Sequence, residues 1–173
     1  MRKEDIINKA KEFCIENNVN DYPVRIIDLC KAYGISVFEK YLPENVSGYI
    51  VIQSKEFRDY NTNKVIVVNL SDSASRRRFT IAHELAHFLL HKKEDETLFA
   101  HRDAGQNGGI EHEANIFASN ILMPEELVRK ALNDIDADNW GELFNSTKID
   151  YIARCFAVSS SAAEVRLKQL KLI

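Results

Sequence analysis

His83-Glu84-Leu85-Ala86-His87 is the stretch on which the reading of this chain turns. Residues four apart lie one above the other on a helix, so His83 and His87 can both aim an imidazole nitrogen at one ion. Glu84 sits about 100° round the helix from His83, where its carboxylate reaches water at the metal without becoming a ligand. Two neutral nitrogen ligands, an adjacent base and an open coordination position are what metal-assisted peptide hydrolysis needs.

A pattern this short also occurs on ordinary surface helices, so the flanks decide. Phe79, Ala82, Ala86, Leu89 and Leu90 recur at helical spacing, which predicts a largely buried amphipathic helix over residues 75–91. Histidines on a buried helix need partners, and a metal satisfies two at once. His91 lies one turn further on, but a straight helix carries it about 12 Å along the axis from His83, too far to share the ion. The metzincin arrangement, with a glycine turn and a third histidine six residues after the second, is excluded because Leu90 and Lys93 occupy those positions.

The third ligand must therefore come from elsewhere. Ile110, Ala114, Phe117, Ala118 and Ile121 share one face at a period of 3.6 and predict a second buried helix. Glu111 falls at one margin of that face, beside Ala118 and Leu122. Glu113 falls at the other margin, further from the apolar centre, and His112 points to solvent. This favours Glu111 as the ligand, with Glu113 the alternative. A helix-start acid favoured by the dipole is the plainer role for Glu111. Asn115, one turn after Glu111, is placed to hydrogen-bond a ligating imidazole.

The two blocks Arg78-Phe79-Thr80-Ile81-Ala82-His83-Glu84-Leu85-Ala86-His87-Phe88-Leu89-Leu90-His91 and Glu111-His112-Glu113-Ala114-Asn115-Ile116-Phe117-Ala118, with Leu122-Met123-Pro124, resemble the ImmA/IrrE family of zinc metallopeptidases. The resemblance implies an α+β, zincin-like minimal domain: a small three-stranded sheet, the metal-binding helix and C-terminal helices. Carried over position by position, it implies one zinc ion on His83, His87 and Glu111, with Glu84 as catalytic base. It also implies action on helix-turn-helix repressors of mobile elements or stress regulons. Ala86 stands where many members have glycine. Some members also carry an N-terminal repressor-like DNA-binding domain, for which this chain has no room.

Composition fits a small cytoplasmic enzyme. A chain of 173 residues, 45% hydrophobic and 28% charged, is expected to form a single core without covalent staples. A net charge of −3 brings no general attraction to nucleic acid or membrane. Cys14, Cys30 and Cys155 are scattered and odd in number, which reads as free thiols in a reducing compartment. Arg2, Lys3, Glu4 and Asp5 open a helix rather than a signal peptide, and no apolar run is long enough to span a bilayer.

Along the chain, residues 4–17 and 24–33 read as helices, the second ended by Gly34. Residues 35–39, 47–53 and 64–69 read as strands, with a turn at 59–63. A further helix opens at Pro124 and Glu125. The polar stretch 92–109 is long for a connection and reads as a flap over the metal or a plain spacer. Arg76-Arg77-Arg78 reads first as a solvated face, with an acidic substrate segment as the functional alternative. Residues 151–167 resemble a helix-turn-helix, its two helices meeting at Val158 and the second capped by Ser159. This divides the chain into a metallopeptidase domain, 1–147, and a tail, 148–173, packed on it. The tail holds five basic and two acidic residues, too narrow a basic surface for direct DNA binding.

The expected activity is site-specific cleavage of a helix-turn-helix repressor, so that the protein acts as an anti-repressor. Zinc lowers the pKa of its water toward about 7, and Glu84 takes the proton. Tyr49, Tyr60 and His101 are the available groups for stabilising the oxyanion, and the residues do not choose among them. The alternative is a regulator that holds zinc structurally and sequesters its partner without cutting it.

Overall fold

The computed structural model describes residues 1–52, 63–91, 108–135 and 144–173. Ten elements follow in order: α1 (Lys3–Glu16), α2 (Ile26–Ala32), β1 (Ser36–Lys40), β2 (Gly48–Ile52), β3 (Lys64–Asn69), α3 (Ala74–His91), α4 (Gly108–Leu122), α5 (Glu125–Ile135), α6 (Asn145–Phe156) and α7 (Ser160–Gln169). The architecture is α+β, as expected, and most element ends fall within one or two residues of the predicted ones. Two starts differ. The second helix begins at Ile26 rather than at residue 24, because Val24 forms a turn whose carbonyl accepts from Ile26 N. Gly108 and Gly109 belong to α4 and not to the preceding connection. First-turn amides have no intrahelical partner in any case, so two glycines cost little there. The predicted turn at 59–63 and the stretch 92–107 lie outside the described residues, Asn63 apart.

The sheet has strand order β1-β3-β2, with β1 parallel and β2 antiparallel to β3. Central β3 carries Val65, Ile66, Val67 and Val68, all fully buried, because both faces of the sheet are covered. Strand alternation sends Ile66 and Val68, with Ile50 and Ile52, into the main core, which also holds Ile81, Ala82 and Leu85 of α3. Val65 and Val67 point to the opposite face, where Phe38, Leu42 and Tyr49 pack on them. At the end of β3, the buried Asn69 amide donates to the carbonyls of Leu42, Pro43 and Val46, and its oxygen accepts from Ser71 N. One side chain thus closes the β1–β2 connection and shapes the entry to α3.

The main core continues through α1 and α4, where Phe13 meets Phe117 edge-on at 5.7 Å between centroids. A second cluster joins Leu127, Val128 and Leu132 of α5 to Ile152 and Phe156 of α6 and Leu167 of α7. The α6–α7 turn follows the expected design: Ala157 adopts a left-handed conformation, and the Ser159 side chain caps α7 by accepting from Ala162 N. Two arginines, Arg166 buried and Arg78 half-buried, fasten distant segments together. Arg166 donates to the Met123 carbonyl at 2.9 Å, and Arg78 donates to the carbonyls of Phe156 and Val24. Burial pulls the Arg166 pKa down to about 10. Cys14 and Cys30 are buried free thiols, pushed up to about 11 and about 12 by that burial.

Helix α3 lies so close to β2 that only a glycine fits between them. A Cβ at Gly48 would stand 2.6 Å from Thr80 Cγ2 and 2.6 Å from the Val67 carbonyl oxygen. The carbonyl belongs to the central strand and cannot yield. Gly48→Ala is therefore expected to lower stability by about 1–3 kcal/mol, read as a shifted urea midpoint. An unchanged midpoint would mean that α3 is not pressed against the sheet at this point.

Candidate metal centre

Helix α3 buries the whole stretch from Thr80 to Phe88, so its polar residues must find partners inside the protein. His83 and Glu84 are each 1% exposed and His87 5%. The two imidazoles turn the same way, with their Nε2 atoms 3.0 Å apart. Glu111, in the first turn of α4, meets both: its Oε2 is 3.1 Å from His83 Nε2 and its Oε1 3.1 Å from His87 Nε2. The three residues each bring a ligand atom within 4.8 Å of the others. Donors about 2.0–2.1 Å from one tetrahedral ion stand about 3.3 Å from each other, close to the spacing found here. Two imidazoles and one carboxylate also match the donor set of a catalytic zinc site with a fourth position open. The cluster is positioned to hold one metal ion.

The electrostatics favour the ligating form of the imidazole. Burial, followed by the neighbouring His83, draws the His87 pKa down to about 4, so the ring is neutral near pH 7. A neutral imidazole keeps a lone pair for a metal. The far nitrogens are tied as well. His83 Nδ1 lies 3.0 Å from Asn115 Oδ1, the contact that the position of Asn115 one turn after Glu111 suggested.

Between the two candidate carboxylates the geometry is clear. Glu111 faces both histidines, while Glu113 turns to His91, with Oε2 3.0 Å from His91 Nε2. Its other oxygen accepts from the Met1 α-amino group. That amine and then His91 hold the Glu113 carboxyl below the usual carboxylate range. His91 does not join the three-residue cluster, but its Nδ1 is 3.2 Å from His87 Nδ1. Axial distance alone misses this contact; the signal lay in the four-residue spacing from His87.

The remaining candidates separate. His112 is exposed, as its helical position predicted. Tyr49 lies on the sheet face turned away from α3, which removes it from the oxyanion candidates, since strand parity places it opposite Ile50. Tyr60 and His101 lie outside the described residues. The triple arginine is not a solvated face throughout. Arg76 is exposed and bonded to Ser47, but Arg77 pairs with Glu39 and donates to the Asp72 carbonyl, and Arg78 is one of the two fastening arginines. Beside the centre runs a groove of about 730 Å³. Its lining includes Phe79 and Asn115, both next to His83, and Ala162, Val165 and Gln169 of α7.

Comparison with known proteins agrees with this arrangement. Residues 30–168 match the model of peptidase M78, described as the IrrE N-terminal-like domain. Metallopeptidase ImmA of Bacillus subtilis (strain 168) is 26% identical over 104 residues, which is 60% of this chain and 56% of that protein. Uncharacterized immunity region protein 2 of Bacillus phage phi105 is 34% identical over 71 residues, 41% of this chain and 45% of that one. This chain thus spans about half the length of the curated relatives it matches. A solved structure, a Mycobacterium tuberculosis transcriptional regulator, shares the fold with a TM-score of 0.59 at 20% identity, over 92% of this chain and 45% of that one. A family match that runs from Cys30 in α2 to Lys168 in α7, and so takes in both histidines and Glu111, leads to one conclusion: the chain belongs to the M78 peptidase family of IrrE N-terminal-like domains.

Proposed function

We propose that this protein is a zinc-dependent endopeptidase that cleaves a helix-turn-helix repressor at one site, in the cytoplasm, and so relieves repression. The observation that carries the reading is the convergence of His83, His87 and Glu111 at 3.0–3.1 Å beside a buried Glu84. One zinc per chain would sit on those three residues. Its contribution would be Lewis acidity toward water and toward the peptide carbonyl. Glu84 accepts the proton that water gives up as it attacks the carbonyl carbon, then hands it to the leaving amine as the C–N bond breaks. Asn115 holds His83 in orientation. The carboxylate of Glu111, the most exposed of the three, offsets part of the charge gathered beside the buried histidines.

A repressor as substrate is supported by the family resemblance and by the related phage protein, which is named for an immunity region. The groove supports a polypeptide substrate, since its lining includes Phe79 and Asn115, which neighbour His83, together with residues of α7. In this reading the tail 148–173 is a docking wall for the peptidase domain 1–147, not a DNA reader. Lys148 and Arg166 are buried and Lys168 is paired with Glu164, which leaves little of the basic surface for phosphate. No described helix is long and apolar enough to cross a membrane.

Three outcomes are expected. Glu84→Gln should keep its zinc and lose repressor cleavage by about 10²–10⁴-fold. Full derepression in cells by that variant would instead mean that the protein sequesters its partner. Zinc should copurify and be lost from His83→Ala and His87→Ala, with Glu111→Ala binding far more weakly than Glu113→Ala, as read by metal analysis and chelator competition. Equal retention in all four variants would remove the assignment. The third concerns the groove. Val165→Glu sets a carboxylate on its wall at an exposed position, so KM for the repressor should rise while kcat, zinc content and Tm hold. An unchanged KM would free α7 from substrate binding.

A further inference from the structure

Three polar groups in a row lead away from the metal cluster: His87 Nδ1 to His91 Nδ1 at 3.2 Å, then His91 Nε2 to Glu113 Oε2 at 3.0 Å. We infer that His91 and Glu113 form a directional hydrogen-bond relay that sets which nitrogen of His87 carries its proton and thereby prepares Nε2 as a metal ligand. It rests on the reading of His83, His87 and Glu111 as ligands.

The direction follows from what each group can do. A carboxylate only accepts, so the proton between Glu113 and His91 sits on His91 Nε2. Two ring nitrogens 3.2 Å apart need one donor and one acceptor, and with the His91 N–H turned to Glu113 its Nδ1 lone pair is the acceptor. Facing that lone pair, His87 Nδ1 must donate. Its own proton is then spent, and Nε2 is bare where it meets His83 and Glu111. Glu113 thus fixes a tautomer two residues away without touching the ligand set. Without it, His91 is free to carry its proton on Nδ1 instead. His87 would then have to accept there and place its proton on Nε2, the nitrogen that should ligate. This divides the labour between two glutamates on one helix: Glu111 supplies an oxygen ligand and Glu113 polarises a nitrogen one. His91 and Glu113 are positioning residues, and burial makes the arrangement specific, since the His91 and Glu113 side chains are only 12% and 16% exposed and water has little room to substitute.

The test uses the full chain and zinc alone. Chelator competition should give a zinc Kd raised about 10–100-fold in Glu113→Ala and in His91→Ala. The double variant should be no weaker than His91→Ala, because Glu113, whose other oxygen holds the Met1 amine, reaches His87 only through His91. Long-range ¹H–¹⁵N spectra of the zinc-loaded wild type should find His91 protonated on Nε2 and His87 on Nδ1. In Glu113→Ala the His91 signals should move toward the other tautomer. The wild-type spectrum stands even if a variant fails to fold. Affinities within twofold of wild type, additive losses in the double variant, or His91 protonated on Nδ1 in the wild type would each overturn the relay. Loss of zinc from His83→Ala tests the underlying ligand reading separately, and none of these measurements depends on the protein cleaving anything.

Discussion

The packing of α3 against α4 is the constraint on which the rest of the molecule depends. Ala82 and Ala86 on the first helix and Ala114 and Ala118 on the second are fully buried in the core the two helices share. Small side chains there let helices come close. The same approach brings Glu111 to His83 and His87, Asn115 to the far side of His83, and Glu113 to His91. Core and site are thus one contact seen from two sides. Loss of apolar packing in this layer would spread the ligand atoms before it unfolded the chain.

Several buried or half-buried polar side chains are satisfied by main-chain carbonyls. Asn69 spends its amide on three carbonyls of one loop. Arg78 and Arg166 each reach main-chain oxygens far away in sequence: Arg78 clamps the main core to Phe156 of the second cluster, and Arg166 ties α7 to Met123 within that second cluster. A charge taken out of water is costly unless hydrogen-bonded, and both guanidinium groups have such acceptors. The groove beside the histidines runs between elements of both clusters, which makes these clamps part of what shapes it.

Much of this was legible from local pattern. The spacing of Phe79, Ala82, Ala86 and Leu89 marked α3, and the helical wheel placed Glu111 and Glu113 on opposite margins of α4, as they are found. The capping serine at 159 and the glycine at 34 marked element ends through backbone chemistry that depends on neighbours only. Contacts between segments distant in the chain were not legible. Nothing within a few residues of Arg78 signals that carbonyls of Val24 and Phe156 lie within its reach. Tyr49 was open as a catalytic candidate because a strand's composition does not say which face meets the helix; its register against β3 does. His91 was judged by distance to an ion, a criterion blind to contacts made through another ring.

Two of the three cysteines carry a consequence for the conditions this protein tolerates. Thiols react as thiolates, and Cys14 and Cys30, with pKa values near 11 and 12, stay protonated at neutral pH and buried in the core. The cluster on α3 and α4 is built from nitrogen and oxygen alone. A centre of that composition offers peroxide or disulfide stress no sulfur to attack, so oxidants that strip zinc from thiolate sites would pass it by.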